Sequence, residues 1–134
     1  MLSDAPEIAR FDHVALATPS RREFIRLSVA SGRCFVAIDD GHVVGYAVLE
    51  YSFYENGFVS MLYVAEPFRL RGFGKALMRH VESQCRTPKL FTSTNESNHR
   101  MRSLLTKLGF EPSGIIENLD DGDPELVFFK RLRP

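Results

Sequence analysis

Before Pro67 the chain is patterned for strands and after it for a helix, and the two regimes meet in one short basic stretch with two glycines, RLRGFGKAL, from Arg69 to Leu77. Upstream, CFVAIDDGHVVGYAVLEYSF reads as two β-branched and aromatic runs folded back on each other at Asp39-Asp40-Gly41. A second turn signal, Glu55-Asn56-Gly57, leads into FVSMLYV, so three antiparallel strands follow one another. Downstream, Phe73, Ala76, Leu77, Val81 and Gln84 recur at helical spacing, and the helix ends near Pro88. The next run, KLFTST, is β-like. A strand that passes through a loop into a helix and on to another strand needs one parallel pair inside an otherwise antiparallel sheet.

The remaining elements follow the same rules. SNHRMRSLLTKLG carries Met101, Leu104, Leu105 and Leu108 at i, i+3, i+4 and i+7 and closes on Gly109, the pattern of a helix with a glycine C-terminal cap. FEPSGIIENL, the turn DDGDP and ELVFFKRL make a closing hairpin. Near the start, PSRREFIRLSVASG reads as a helix, with Ser20 as its start signal and Gly32 just beyond its end. The expected fold is α/β, a mixed and mostly antiparallel sheet flanked by helices, in a single domain over residues 1–134.

Composition narrows the partners. The 17 basic and 17 acidic residues cancel, which argues against nucleic acid or an anionic membrane as a partner. The N-terminal MLSDAPEIAR lacks a basic-then-apolar export pattern and no apolar run reaches about 18 residues, so a cytoplasmic protein is expected. Cys34 and Cys85 fall in segments read as strand and helix, which suits reduced thiols better than a disulfide or metal framework.

The glycine stretch therefore has to carry the chemistry. A strand that turns abruptly into a helix leaves backbone amides unpaired where the positive end of the helix dipole collects. Gly72 and Gly74 admit an anion to that backbone, and Arg69, Arg71 and Lys75 add positive charge. A dinucleotide fingerprint needs a third glycine where Leu77 stands, and an opening strand that is not preceded by an antiparallel meander. A triphosphate loop needs glycine in place of Arg69 and a hydroxyl in place of Ala76. Both fail.

What remains, Arg-x-x-Gly-x-Gly at a helix start behind three antiparallel strands, resembles the GNAT superfamily of N-acetyltransferases. Arg69, Gly72 and Gly74 match its Gln/Arg-x-x-Gly-x-Gly/Ala motif, and NHRMRSLLTKLGF, Asn98 to Phe110, looks like its later helix. The likeness covers roughly residues 33 to 132. It implies a GNAT-like fold that binds acetyl-CoA, with Arg69, Leu70, Arg71, Gly72, Phe73, Gly74 and Lys75 cradling the pyrophosphate and Asn98 touching the pantetheine or adjoining phosphates. It also implies that Leu62 and Val64 pair with the pantetheine arm and that an N–H near them stabilises the oxyanion. A family member usually opens with a strand and two helices. Here the chain before Cys34 suffices for two short helices, so the first strand is expected to be absent or rudimentary.

The resemblance implies direct acetyl transfer to a primary amine of a small molecule or peptide, but the usual proton carriers are replaced. Many members have a Tyr in the late helix to protonate the thiolate, where this chain has Leu105. The central strand, often the place of a carboxylate base, offers Ser60. Substitutes in reach are Ser60, Glu50, Tyr51 and Tyr63, with Glu50 and Tyr51 on opposite faces of their strand. His80 and His99 read as helix-face and helix-start residues, and no metal constellation is present. Tyr51, Phe53, Tyr54 and Glu55 at one hairpin end, and Glu117, Asp120, Asp121, Asp123 and Glu125 at another, would suit a cationic amine acceptor. The alternative is a non-catalytic acyl-CoA-binding or regulatory domain. Monomer and homodimer are both compatible with the sequence.

Overall fold

The computed structural model describes residues 33–134. The helix expected over PSRREFIRLSVASG and the question of a first strand lie outside the described residues. The elements are β1 (Cys34–Asp39), β2 (His42–Phe53), β3 (Asn56–Val64), a 3-10 turn (Glu66–Phe68), α1 (Phe73–Gln84), β4 (Lys89–Asn95), α2 (His99–Lys107), β5 (Glu111–Ile116) and β6 (Glu125–Arg131). The strands form a six-stranded sheet of order β1-β2-β3-β4-β6-β5. Its one parallel pair is β3 with β4, as the crossover requires, and β1–β2, β4–β6 and β5–β6 are antiparallel. The chain divides into two compact units. One holds described residues 33–49 with Met61–Ser83, and the other Glu50–Ser60 with Gln84–Pro134.

In the first unit the β1–β2 turn places Asp40 and Gly41 at φ 51° and 78°, the paired left-handed residues that match strand twist. Val43 to Leu49 of β2 are buried without interruption, the signature of a strand covered on both faces. Leu77, Met78 and Val81 of α1 are buried, whereas Ala76 and Gln84 are exposed. The core stripe of α1 is thus displaced by about one residue from the one the spacing predicts. Met78 offers far more apolar area than Ala76, and the helix is turned to bury it.

In the second unit the β2–β3 turn lies one to two residues earlier than expected. Tyr54 and Glu55 occupy the left-handed region at φ 51° and 63°, and β3 begins at Asn56. Gly57 is therefore a strand residue, and crowding accounts for it. A Cβ there would sit 2.5 Å from Cys85 Sγ, 3.2 Å from Thr87 Oγ1 and 3.3 Å from Leu90 Cδ1. Phe58, Phe91 and Phe129 stand in register across β3, β4 and β6, with Phe53 against the first two at 4.7 and 5.2 Å between ring centres. α2 starts at Asn98, whose side chain accepts from the Met101 N–H, and is followed by Gly109 at φ 90°. It buries Leu105 completely. Among the described residues no helix is long and apolar enough to cross a membrane.

Candidate functional site

The site is built from the end of β3. The ladder with β4 comprises only Gly57–Leu90, Phe58–Phe91 and Val59–Thr92. Thr92, 1% exposed, donates its hydroxyl to the Val59 carbonyl at 2.9 Å where that ladder stops. Farther along, the Ala65 N–H donates to the Val44 carbonyl of β2 at 2.8 Å. Backbone groups alternate sides along an antiparallel strand, so those of Leu62 and Val64 face away from β2. Among the described residues this leaves an edge of β3 whose main-chain groups have no ladder partner, except that Arg69 Nε donates to the Val64 carbonyl at 2.8 Å.

The same strand runs through the 3-10 turn into the glycine loop. Leu70 stands at φ 64° with 93% of its surface exposed, a conformation that costs a branched residue about 1 kcal/mol. Gly72 stands at φ 87° with nothing within 4 Å of where a Cβ would be, so the approach to its backbone is open. The first helical bond of α1 is from the Ala76 N–H to the Gly72 carbonyl at 3.0 Å. The amides of Phe73, Gly74 and Lys75 precede it and have no carbonyl within the helix to receive them. No acidic residue stands in the first turn of α1.

Three cations border these amides. Arg69 lies 5.4 Å over the Tyr63 ring as well as holding the Val64 carbonyl. Arg71 lies 5.5 Å from the ring centres of both Phe68 and Phe73, with its Nη2 at 3.6 Å from Asp39 Oδ2. Lys75 is exposed. Orphan amides, an open glycine backbone and local positive charge on a neutral chain fit a diphosphate well. The first unit thus brings together Leu62, Tyr63, Val64 and the whole Arg69–Lys75 stretch.

The remaining candidates, His80 excepted, belong to the second unit. Tyr51 is structural in its contacts: its hydroxyl accepts from the Arg86 N–H at 3.1 Å, and the Arg86 guanidinium lies 4.4 Å over its ring. Glu50 is half-buried and engaged. Ser60 differs, because its hydroxyl is buried and finds no hydrogen-bond partner among the described residues. Asn98 caps α2 through its side chain at 3.1 Å. Of the acidic hairpin, Asp120 accepts from Asn95 Nδ2 at 2.9 Å and Asp123 accepts from the Ser97 N–H at 3.0 Å, while Glu117 and Asp121 are exposed. His80 packs edge-on against Phe35 at 5.0 Å, and His99 is exposed.

Two contacts near the candidate residues escaped the sequence reading. Asp39 was legible only as a turn residue, although its carboxylate reaches the glycine loop. The tie between Asn95, Ser97 and the acidic hairpin left no local signal, since its partners are more than twenty residues apart. An open groove of about 1070 Å³ in the second unit, floored by Ile115, Leu126 and Phe128 beside α2, contains none of the expected site residues.

The Acetyltransferase (GNAT) family model matches residues 3–110. A GNAT-family acetyltransferase from Bacillus cereus ATCC 10987 is 36% identical over 96% of this chain and 91% of its own, with a TM-score of 0.90. The yncA protein of Salmonella typhimurium, solved with its cofactor acetyl-CoA, aligns over 100% of this chain and 91% of its own at 17% identity, with a TM-score of 0.80. An aminoglycoside 6'-N-acetyltransferase complexed with coenzyme A aligns over 97% and 91% at 14% identity, with a TM-score of 0.78. These last two likenesses concern the fold alone. A comparison with curated proteins returned no match.

Proposed function

The chain belongs to the GNAT acetyltransferase family, and from that premise we propose that it moves an acetyl group from acetyl-CoA directly to a primary amine of a small molecule or peptide. The observation that carries this reading is the continuity of β3: beyond its ladder with β4 one strand turns the main-chain groups of Leu62 and the Val64 N–H away from β2 and then delivers the amide-lined loop of Gly72 to Lys75. A ligand with an extended amide-bearing arm and a diphosphate has matching groups on both. The chain would work in the cytoplasm, where the Cys34 and Cys85 thiols stay reduced, as a monomer or homodimer.

Acetyl-CoA supplies the acetyl thioester, whose C–S bond breaks as the C–N bond forms. The amides of Phe73, Gly74 and Lys75 hold the diphosphate, with Arg69, Arg71 and Lys75 supplying formal charge and Leu70 lying at the loop's exposed tip. The edge of β3 aligns the pantetheine arm, and fixing the reacting groups in this way is a large part of such catalysis. An N–H in the Leu62–Val64 segment is placed to receive charge developing on the carbonyl oxygen.

Ser60 is our choice among the proton-handling candidates. Its unpartnered buried hydroxyl can hold a water that takes the amine proton, whereas the Tyr51 hydroxyl is already committed to Arg86. Glu50 and Tyr63 rank behind it, both being engaged in the fold. The fully buried Leu105 contributes no acid, and a thiol with an ordinary pKa near about 8.5 leaves tolerably without one, at a cost of about 10²-fold in rate. The acceptor we favour is a cationic amine, supported by the exposed Glu117 and Asp121 on the anchored hairpin. Leu105 also supports a second reading, a non-catalytic acyl-CoA-binding domain.

Calorimetric titration with acetyl-CoA, repeated on Gly74→Glu, tests the binding. The parent is expected to bind saturably and the variant, melting within a few degrees of it, to bind about 100-fold more weakly or not at all. Absence of binding by the parent sinks both readings. Binding without thiol release across a broad amine panel selects the second.

A further inference from the structure

The contact between Asp39 and Arg71 is loose for an ion pair, at 3.6 Å with side chains 35% and 52% exposed. The guanidinium nevertheless has apolar support. It rests against the Phe68 and Phe73 rings, 5.5 Å from each centre, and since those centres are 6.3 Å apart both rings lie to one side of it and leave its other side open to an anion. The anion it meets is a carboxylate from the end of β1, next to the tight Asp40–Gly41 turn, rather than one from its own loop. Only Asp39 opposes the cations of this loop by a described contact, since the first turn of α1 has no acidic residue.

We infer that Asp39 is an electrostatic competitor at the glycine loop: its carboxylate pairs with the Arg71 guanidinium in the free protein and competes with the phosphates of the ligand for it. This rests on the acetyl-CoA reading. A solvent-exposed carboxylate at 3.6 Å is weakly held, whereas a phosphate receives a guanidinium through two parallel hydrogen bonds. The phosphate therefore displaces the carboxylate. Asp39 then remains as a like charge near the bound anion, so its presence lowers affinity.

The test is the Kd for acetyl-CoA of the parent, Asp39→Asn, Arg71→Gln and the double variant, measured at low and high salt. Asp39→Asn is expected to bind about 2- to 5-fold more tightly at low salt, in line with the strength of exposed ion pairs. The gain should fade when added salt shortens the screening length to a few ångströms, and should be at least halved in the Arg71→Gln background. Asp39→Ser, which removes the charge by a different side chain, guards against an effect on the hairpin itself and should tighten binding likewise. Unchanged or weaker binding by both Asp39 variants, or an equal gain without Arg71, overturns the inference while leaving the acetyl-CoA reading intact. A parent that does not bind acetyl-CoA overturns the two together.

Discussion

Replacing Gly57 by alanine adds one methyl group where the structure has no room for it. The new Cβ would lie 2.5 Å from Cys85 Sγ, more than 1 Å inside the usual contact distance of about 3.5–4.0 Å. The sulfur has little space to retreat, being 3.3 Å from Thr87 Oγ1, and Thr87 in turn accepts the Gly57 N–H at 2.9 Å. Overpacking of this kind costs about 1–3 kcal/mol, and straining the Gly57–Thr87 bond adds up to about 1 kcal/mol. Alanine's better fit to a strand returns about 0.5–1 kcal/mol. The net is about 2 kcal/mol, a fall in Tm of about 6 °C for a chain of this length.

Chemical unfolding of Gly57→Ala, Cys85→Ala and the double variant separates this cause from others. Cys85→Ala alone should cost about 1 kcal/mol for the void it leaves. The double variant should be no less stable than Cys85→Ala, because the new methyl fills that void, giving a coupling of about 2 kcal/mol. A Gly57→Ala cost below about 0.5 kcal/mol, or additive losses, would refute the crowding argument.

Three further outcomes are expected. Ser60→Ala should leave Tm unchanged or raised, since it removes a buried hydroxyl without a partner among the described residues, and should lower kcat about 10- to 100-fold with little change in acetyl-CoA affinity; equal kcat removes Ser60 from the reaction. Asn98→Ala should destabilise by about 1 kcal/mol through loss of the α2 cap, read by thermal melting. Arg69→Lys keeps the charge but loses the geometry of the Nε bond to Val64. It should lower Tm by about 3 °C while the salt dependence of acetyl-CoA binding stays as in the parent because the charge is kept, and an unchanged Tm would mean that the bond to Val64 contributes nothing to stability.

Local signals carried most of the fold. Asp40–Gly41 could be read because a two-residue hairpin needs left-handed backbone, and the parallel β3–β4 pair because a helix separates two strands. The signal at Gly57 misled for a physical reason: glycine serves tight turns and close approaches alike, and only the position of Cys85 tells them apart. The loop was legible for the same kind of local reason, since Gly72 and the neighbouring cations are adjacent in the chain. Asp39 beside Arg71, and the commitment of Tyr51 to Arg86, depend on pairs brought together by folding from about thirty residues apart, and no spacing announces them.

The short parallel ladder has a consequence for time as well as shape. Protection of backbone amides from deuterium depends on the bond each one makes, so β3 should behave as two segments in an exchange experiment. Amides within the Gly57–Val59 stretch, pinned at its end by the buried Thr92 hydroxyl, should exchange slowly, while the outward amides of Leu62 and Val64 exchange orders of magnitude faster. Acetyl-CoA should erase that difference by slowing Leu62 and Val64 alone among the strand's amides, so the exchange of those two amides against that of Gly57–Val59 reports occupancy of the edge from within one strand.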